Sequence, residues 1–228
     1  IDVYEKLTPL SSPPDEDYFN KDFEKEAVNF MNAFCNDEFV FDDDLMNDIL
    51  NMRISEDEVF YAVSKLKKGK SPGLDGLPAE FIIHTKESIV PHLTHIYNYI
   101  LDTCIFPETW AEGLRIVIPK DNGTDVRPIT ITPIVGKIFE SIIDNRMVFL
   151  EDSFNKSDLY NGGFKKNSST SDNAFILLGC IQKQLSLGKS LHVAYVDYRK
   201  AFNFVNRHLL FYKIVNSGLH GKVIKILY

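Results

Sequence analysis

Residues 191–205 read LHVAYVDYRKAFNFV: a short apolar run that stops on a single acid, Asp197, followed by Lys200, Ala201 and Phe202. Such a run predicts a buried strand over 191–197, and a strand that ends on a carboxylate offers an oxygen ligand at the rim of a rigid element. Mg2+ takes carboxylate oxygens together with substrate phosphates, which makes Asp197 a candidate metal ligand for phosphate chemistry. The structural alternative is an N-cap, since an acid between a strand and a helix often caps the helix. Two-metal chemistry needs at least a second acid, and spacing within the chain identifies none.

The other chemistry-bearing residues are cations. Lys65, Lys67, Lys68 and Lys70 crowd the end of a predicted helix, ahead of Ser71-Pro72-Gly73-Leu74-Asp75-Gly76. They read either as a solvated helix end that complements the helix dipole or as contacts to phosphate. Lys120 and Arg127 flank the turn signal Asp121-Asn122-Gly123 and divide between surface cations and phosphate contacts. Phe202 taken alone is a core aromatic on the following helix. His92 and His95 share a helix face, but no third ligand is placed near them. No Walker loop, GxSxG or HExxH offers a different catalytic class.

The elements that must position these residues fit a chain of 228 residues with 44% apolar content, enough for a sizeable core. The net charge of −7 hides an asymmetry: residues 1–60 hold 4 Lys/Arg against 17 Asp/Glu, and residues 61–228 hold 21 against 15. The imbalance leaves room for a phosphate-binding face in the second part only, although a surplus of this size is more often a solvated surface. No apolar stretch approaches a membrane span, and the first residues lack the order of a signal peptide. Because the chain does not start on Met, it is expected to be a fragment. Cys35, Cys104 and Cys180 lie far apart without metal spacing, so they are expected to be reduced thiols packed in the core.

Periodicity predicts an acidic helix around residues 19–35 and another at 45–52 after Asp42-Asp43-Asp44, a solvated helix start. Ser55-x-x-Glu58 is a capping box for a helix over 56–68 that Gly69 ends. Helices follow at 78–85 and 88–103, then a β-hairpin pairing 114–118 with 126–131. Further helices are expected at 134–151, at 171–187 closed by Gly188, at 199–216 and from 220 onward. Helices outnumber scattered strands, an α+β pattern.

In order, Lys68-Gly69-Lys70-Ser71-Pro72-Gly73-Leu74-Asp75-Gly76, Trp110, Ile118-Pro119-Lys120, Arg127-Pro128-Ile129, Gly163-Phe164, Ser169-Thr170 and Asp197-x-x-x-Ala201-Phe202 resemble the reverse transcriptases of non-LTR retrotransposons of the LINE and jockey type. The resemblance runs from about residue 54 to the end. It implies an incomplete right-hand polymerase fold: an acidic leader at 1–53, fingers and early palm at 54–190, and palm at 191–228. It also implies RNA-directed DNA polymerase activity with an RNA template, a DNA primer, deoxynucleoside triphosphates and two Mg2+ ions, or Mn2+ in their place. The rest of the palm and the thumb would come from the same polyprotein. The resemblance implies no membrane partner, and the site of work would be the nucleus, with ribonucleoprotein assembly in the cytoplasm.

Residue by residue, the resemblance makes Asp197 the first catalytic metal ligand, with the Val196 and Tyr198 carbonyls as lesser contacts. Phe202 would pack under the incoming sugar and exclude a 2′-hydroxyl. Lys120 and Arg127 would hold the triphosphate. Lys67, Lys68, Lys70, Ser71 and Gly73 would meet the template backbone. Two departures stand out: Asn203 replaces the acid usual after Ala-Phe, and Asn161 replaces a usual Gln. The chain also stops before the family's Tyr/Phe-x-Asp-Asp turn, so the isolated chain is expected to be inactive. The alternatives are a non-catalytic, truncated remnant that binds RNA, and, fitting the spacing less well, a group II intron maturase.

Overall fold

In the computed structural model, the described residues are 20–41, 44–119, 126–153, 162–165, 168–198 and 201–228. Among them ten α-helices and a single two-stranded antiparallel sheet form a helix-rich arrangement compatible with an α+β class. The chain divides into two compact units. The first draws on Glu16–Leu150 and Asn206–Tyr228, the second on Glu151–Val205.

In the first unit, α1 (Lys21–Cys35) starts at Asn20, whose side chain accepts from the Asp22 and Phe23 amides. Ala27, Met31 and Phe34 recur at helical spacing and are buried, so one face of this acidic helix is core. Next come α2 (Leu45–Asn51) and α3 (Glu56–Ser64), the latter opened by the expected Ser55/Glu58 capping box. Then follow α4 (Ala79–His84), α5 (Lys86–Thr103) and the short α6 (Glu108–Ala111).

Strands β1 (Leu114–Pro119) and β2 (Val126–Ile131) pair with Leu114 opposite Ile131 and Ile118 opposite Arg127. The long α7 (Ile134–Ser153) supplies Ile138, Phe139, Ile142 and Ile143 to the core, where they join Leu93, Tyr97, Ile100 and Leu101 of α5. Burying each of these side chains contributes about 1.5–3 kcal/mol, which is why α5 and α7 dominate the unit. Trp110 sits edge-on to Tyr97 and Phe106, and Gly136 lets α7 pass close to it.

At the end of the chain, α9 (Arg207–Asn216) packs on α1, and α10 (Lys222–Leu227) packs on α2 and α5. Two side chains of α2 tie down the intervening loop. Asn47 donates to the Gly218 carbonyl at 2.8 Å and accepts from the His220 amide at 2.8 Å. Asn51 donates to the His220 carbonyl at 2.9 Å and accepts from the Val223 amide at 2.9 Å. Amide side chains here satisfy loop peptide groups as a neighbouring strand would.

The second unit contains α8 (Thr170–Ser186), which a Ser169/Asp172 capping box opens and which is closed, as the sequence predicts, by Gly188, with φ 62°.

Four expectations need correction. The helix predicted over 56–68 ends at Ser64. Its last amides switch to tighter bonds, Lys65 to the Ala62 carbonyl and Leu66 to that of Val63, and beyond Leu66 no apolar side chain rewards another turn. The strand predicted over 191–197 does not form: residues 191–198 are exposed and irregular, and no described strand pairs with them. An apolar run becomes a strand only where a ladder partner exists. The helix predicted over 199–216 is instead a 3-10 turn at Ala201–Phe204 followed by α9, because Asn206 caps the Leu209 amide and restarts the helix there. Of the three thiols, Cys35 and Cys104 are half-buried, whereas Cys180 is exposed rather than packed.

Candidate nucleic-acid interface

The loop after α3 is held at three points. The Gly69 amide donates to Glu80 Oε1 at 2.6 Å, and this bond holds the Glu80 carboxyl below its ordinary range. Gly69 has φ 71° and Gly76 φ 66°, left-handed conformations that favour glycine. The turn closes with the Gly76 amide on the Gly73 carbonyl at 3.1 Å and the Leu77 amide on Asp75 Oδ1 at 3.2 Å.

Gly73 is the close-contact point. A Cβ there would stand 2.8 Å from the Pro133 nitrogen and 2.8 Å from the Thr132 carbonyl carbon, so only glycine lets the loop lie against the chain between β2 and α7. This contact shapes a pocket of about 260 Å3. Lys67, Lys70, Ser71 and Gly73 line it together, as does Lys65; Lys68 does not. Leu66, Leu77 and Ile134 give it an apolar floor.

Arg127 lies on β2 opposite Ile118, which fixes its backbone near the hairpin's tip. Lys120 falls outside the described residues, as do the turn at 121–123 and Asn161. In the second unit, Asp197, Val196 and Tyr198 are exposed on the irregular segment. Phe202, 78% exposed, stands edge-on to Phe164 with ring centroids 6.2 Å apart. Two aromatics that the sequence places in separate blocks therefore meet. Among the described residues no three His, Cys, Asp or Glu side chains group to hold a metal ion, so Asp197 offers one carboxylate and not a complete site.

Arg146 belongs to none of the sequence motifs, yet it is central to the first unit. It is 5% exposed on α7 and donates to Glu58 and to the carbonyls of Leu50, Met52 and Arg53. The signal was present as a charge at the i+4 position after Ile142 and before Leu150, inside an apolar stripe. Asn98, likewise buried, bridges α5 to both the amide and the carbonyl of Ile54 at 2.8 Å.

No protein-family model matches the chain. The RNA-directed DNA polymerase from mobile element jockey of Drosophila melanogaster is 29% identical over 170 residues, 70% of this chain and 18% of that protein. The chain is a homologue of non-LTR retrotransposon RNA-directed DNA polymerases. The probable RNA-directed DNA polymerase from transposon BS of the same fly is 24% identical over 178 residues, 76% of this chain and 19% of that protein. The Pol polyprotein from type-1 retrotransposable element R1 of Bradysia coprophila is 26% identical over 160 residues, 64% of this chain and 15% of that protein. The chain thus spans under one fifth of the length of these curated relatives. Among the described residues no helix is long and apolar enough to cross a membrane.

Proposed function

We propose that this chain is the template-facing part of an RNA-directed DNA polymerase, with a fingers and early-palm fold over 54–190 and palm from 191 onward. The observation that carries the reading is the order of its sequence blocks, from the lysine and glycine loop to Asp197 and Phe202, together with polymerase homologues over about 70% of the chain. The basic loop around Gly73 supports it physically, since four lysines beside an apolar floor suit a nucleic-acid backbone.

In this reading Lys67, Lys68, Lys70, Ser71 and Gly73 hold the RNA template through its backbone, and Lys120 and Arg127 neutralise the triphosphate of the incoming deoxynucleotide. Phe202 stacks beneath the sugar and disfavours a 2′-hydroxyl. Asp197 is one metal-holding group, with the Val196 and Tyr198 carbonyls beside it. The described residues of this chain do not by themselves fit two Mg2+ ions, because a single carboxylate cannot keep two cations in register. The isolated chain is accordingly inactive in primer extension, and Mg2+-dependent incorporation of deoxynucleotides by residues 1–228 would refute that. Copying into chromosomal DNA would place the working enzyme in the nucleus.

The test is binding of a single-stranded RNA 20-mer across a salt series. Neutralised phosphates release counterions, and each contact contributes about 0.7 to the log–log slope on a single strand. The variant carrying Lys67→Ala, Lys68→Ala and Lys70→Ala should bind more weakly and lower that slope by about 2. Binding and slope equal to those of the parent chain would remove the template from this loop.

A further inference from the structure

The basic pocket holds a cation that sequence spacing did not connect with the lysine loop. Lys137, in the first turn of α7 and 64 residues beyond Gly73, lines the same pocket as Lys65, Lys67 and Lys70. Because Gly73 lets the loop close on Thr132 and Pro133, the loop and the start of α7 form the two walls. No acidic residue lines the pocket, and none of its four lysines is in an ion pair among the described residues. Nearby charge is limited: Lys137 influences Glu140 on its own helix, Glu80 is engaged by the Gly69 amide, and Lys65 lies over the Tyr61 ring at 5.0 Å.

This lining is short of negative charge. A cation in the first turn of a helix opposes the helix dipole, and here it shares a pocket with three like charges. An anion reverses both effects, since it meets the lysines and the positive end of a 20-residue helix together.

We propose that Lys137 completes a single phosphate-binding pocket with Lys65, Lys67 and Lys70, which seats one backbone phosphate of single-stranded RNA while the apolar floor of Leu66, Leu77 and Ile134 carries the adjoining nucleotide. The identity of the strand rests on the template reading above; the participation of Lys137 rests on the pocket. Contact through phosphate makes this site indifferent to base sequence.

The experiment is fluorescence anisotropy of a labelled oligouridine 20-mer with the full 228-residue chain and its variants, over a salt series, with circular dichroism to confirm folding. Lys137 is exposed, so its substitution leaves the core intact. Lys137→Ala should weaken binding about fivefold at 0.1 M salt and lower the slope by about 0.7, the effect of one lost contact. Lys137→Arg should restore both, whereas Lys213→Ala, an exposed lysine of α9 outside the pocket, should change neither. If Lys137→Ala binds like the parent chain while the triple variant of Lys67, Lys68 and Lys70 is weakened, this pocket is overturned and the template reading survives. If the triple variant also binds like the parent chain, both are overturned.

Discussion

Arg146 and Glu58 meet in a two-pronged pair inside the first unit, Nε to Oε1 at 2.7 Å and Nη2 to Oε2 at 2.9 Å. Glu58 is also the carboxylate that caps α3 through the Ser55 amide at 2.9 Å. A single acid therefore starts α3 and anchors it to α7, while the remaining Arg146 donors close the carbonyls of residues 50, 52 and 53. The geometry is favourable because every donor direction of the planar guanidinium finds an acceptor.

Arg146→Met should destabilise the fold by about 3–5 kcal/mol, because it leaves a half-buried carboxylate and three carbonyls without their partner. Urea unfolding should show a lower midpoint at an unchanged slope. A loss below about 1 kcal/mol would mean that the pair behaves like a surface ion pair.

Acid should weaken this anchor in a defined direction. Burial pushes the Glu58 carboxyl up, but the Arg146 and Ser55 hydrogen bonds outweigh it and hold the group below its ordinary value of 4.5. The unfolded chain then takes up the proton more readily. The stabilisation is present in full above the ordinary value and is lost as pH falls through the lower, folded value. The stability difference between the parent chain and Glu58→Gln should be widest near neutral pH and shrink below about pH 4.5. A difference that grows on acidification would contradict the assignment.

The clamp from α2 onto the 218–223 loop should be measurable in the same way. Asn51→Ala removes bonds to the His220 carbonyl and the Val223 amide, and should cost about 1–3 kcal/mol. Gly221→Ala should also destabilise, since its added Cβ would lie 2.5 Å from Asn51 Nδ2 and Gly221 has φ 98°. Combining the two substitutions should cost less than their sum, because Asn51→Ala removes the clash while the backbone strain persists. Strict additivity in thermal unfolding would show that the two residues do not touch.

Thiol labelling under native conditions should show one fast site. Cys180 is exposed, whereas burial pushes the Cys35 and Cys104 thiols up and leaves less thiolate for reaction. Cys180→Ser should abolish the fast phase; its persistence would mean that α1 or the end of α5 opens readily.

Local signals were legible in the sequence wherever they acted locally. The Ser55/Glu58 capping box, the 114–131 hairpin and the α7 stripe all appear in the structure near their expected places. What periodicity missed depended on partners distant in the chain. The run at 191–197 has strand composition but no described ladder partner, so it stays irregular. Arg146 looks like an interruption of a helix face until the carbonyls of residues 50–53 are placed beside it. The acidic leader suggested no role, yet α1 and α2 bury apolar faces against elements about 170–190 residues away, a pairing visible only in three dimensions. For the site, loop and lysines were readable from composition, whereas the joining of Lys137 to them required the close approach at Gly73.

The most direct test of the central claim is primer extension by the jockey polymerase with its segment similar to this chain replaced by residues 54–228 here, so that Asp197 is carried in. The account predicts that this chimaera adds deoxynucleotides to a DNA primer on an RNA template in Mg2+, and that Asp197→Asn in the same chimaera abolishes the addition. Extension by the Asp197→Asn chimaera at the rate of the unsubstituted one would contradict the account, because Asp197 would then hold no part of the catalytic site.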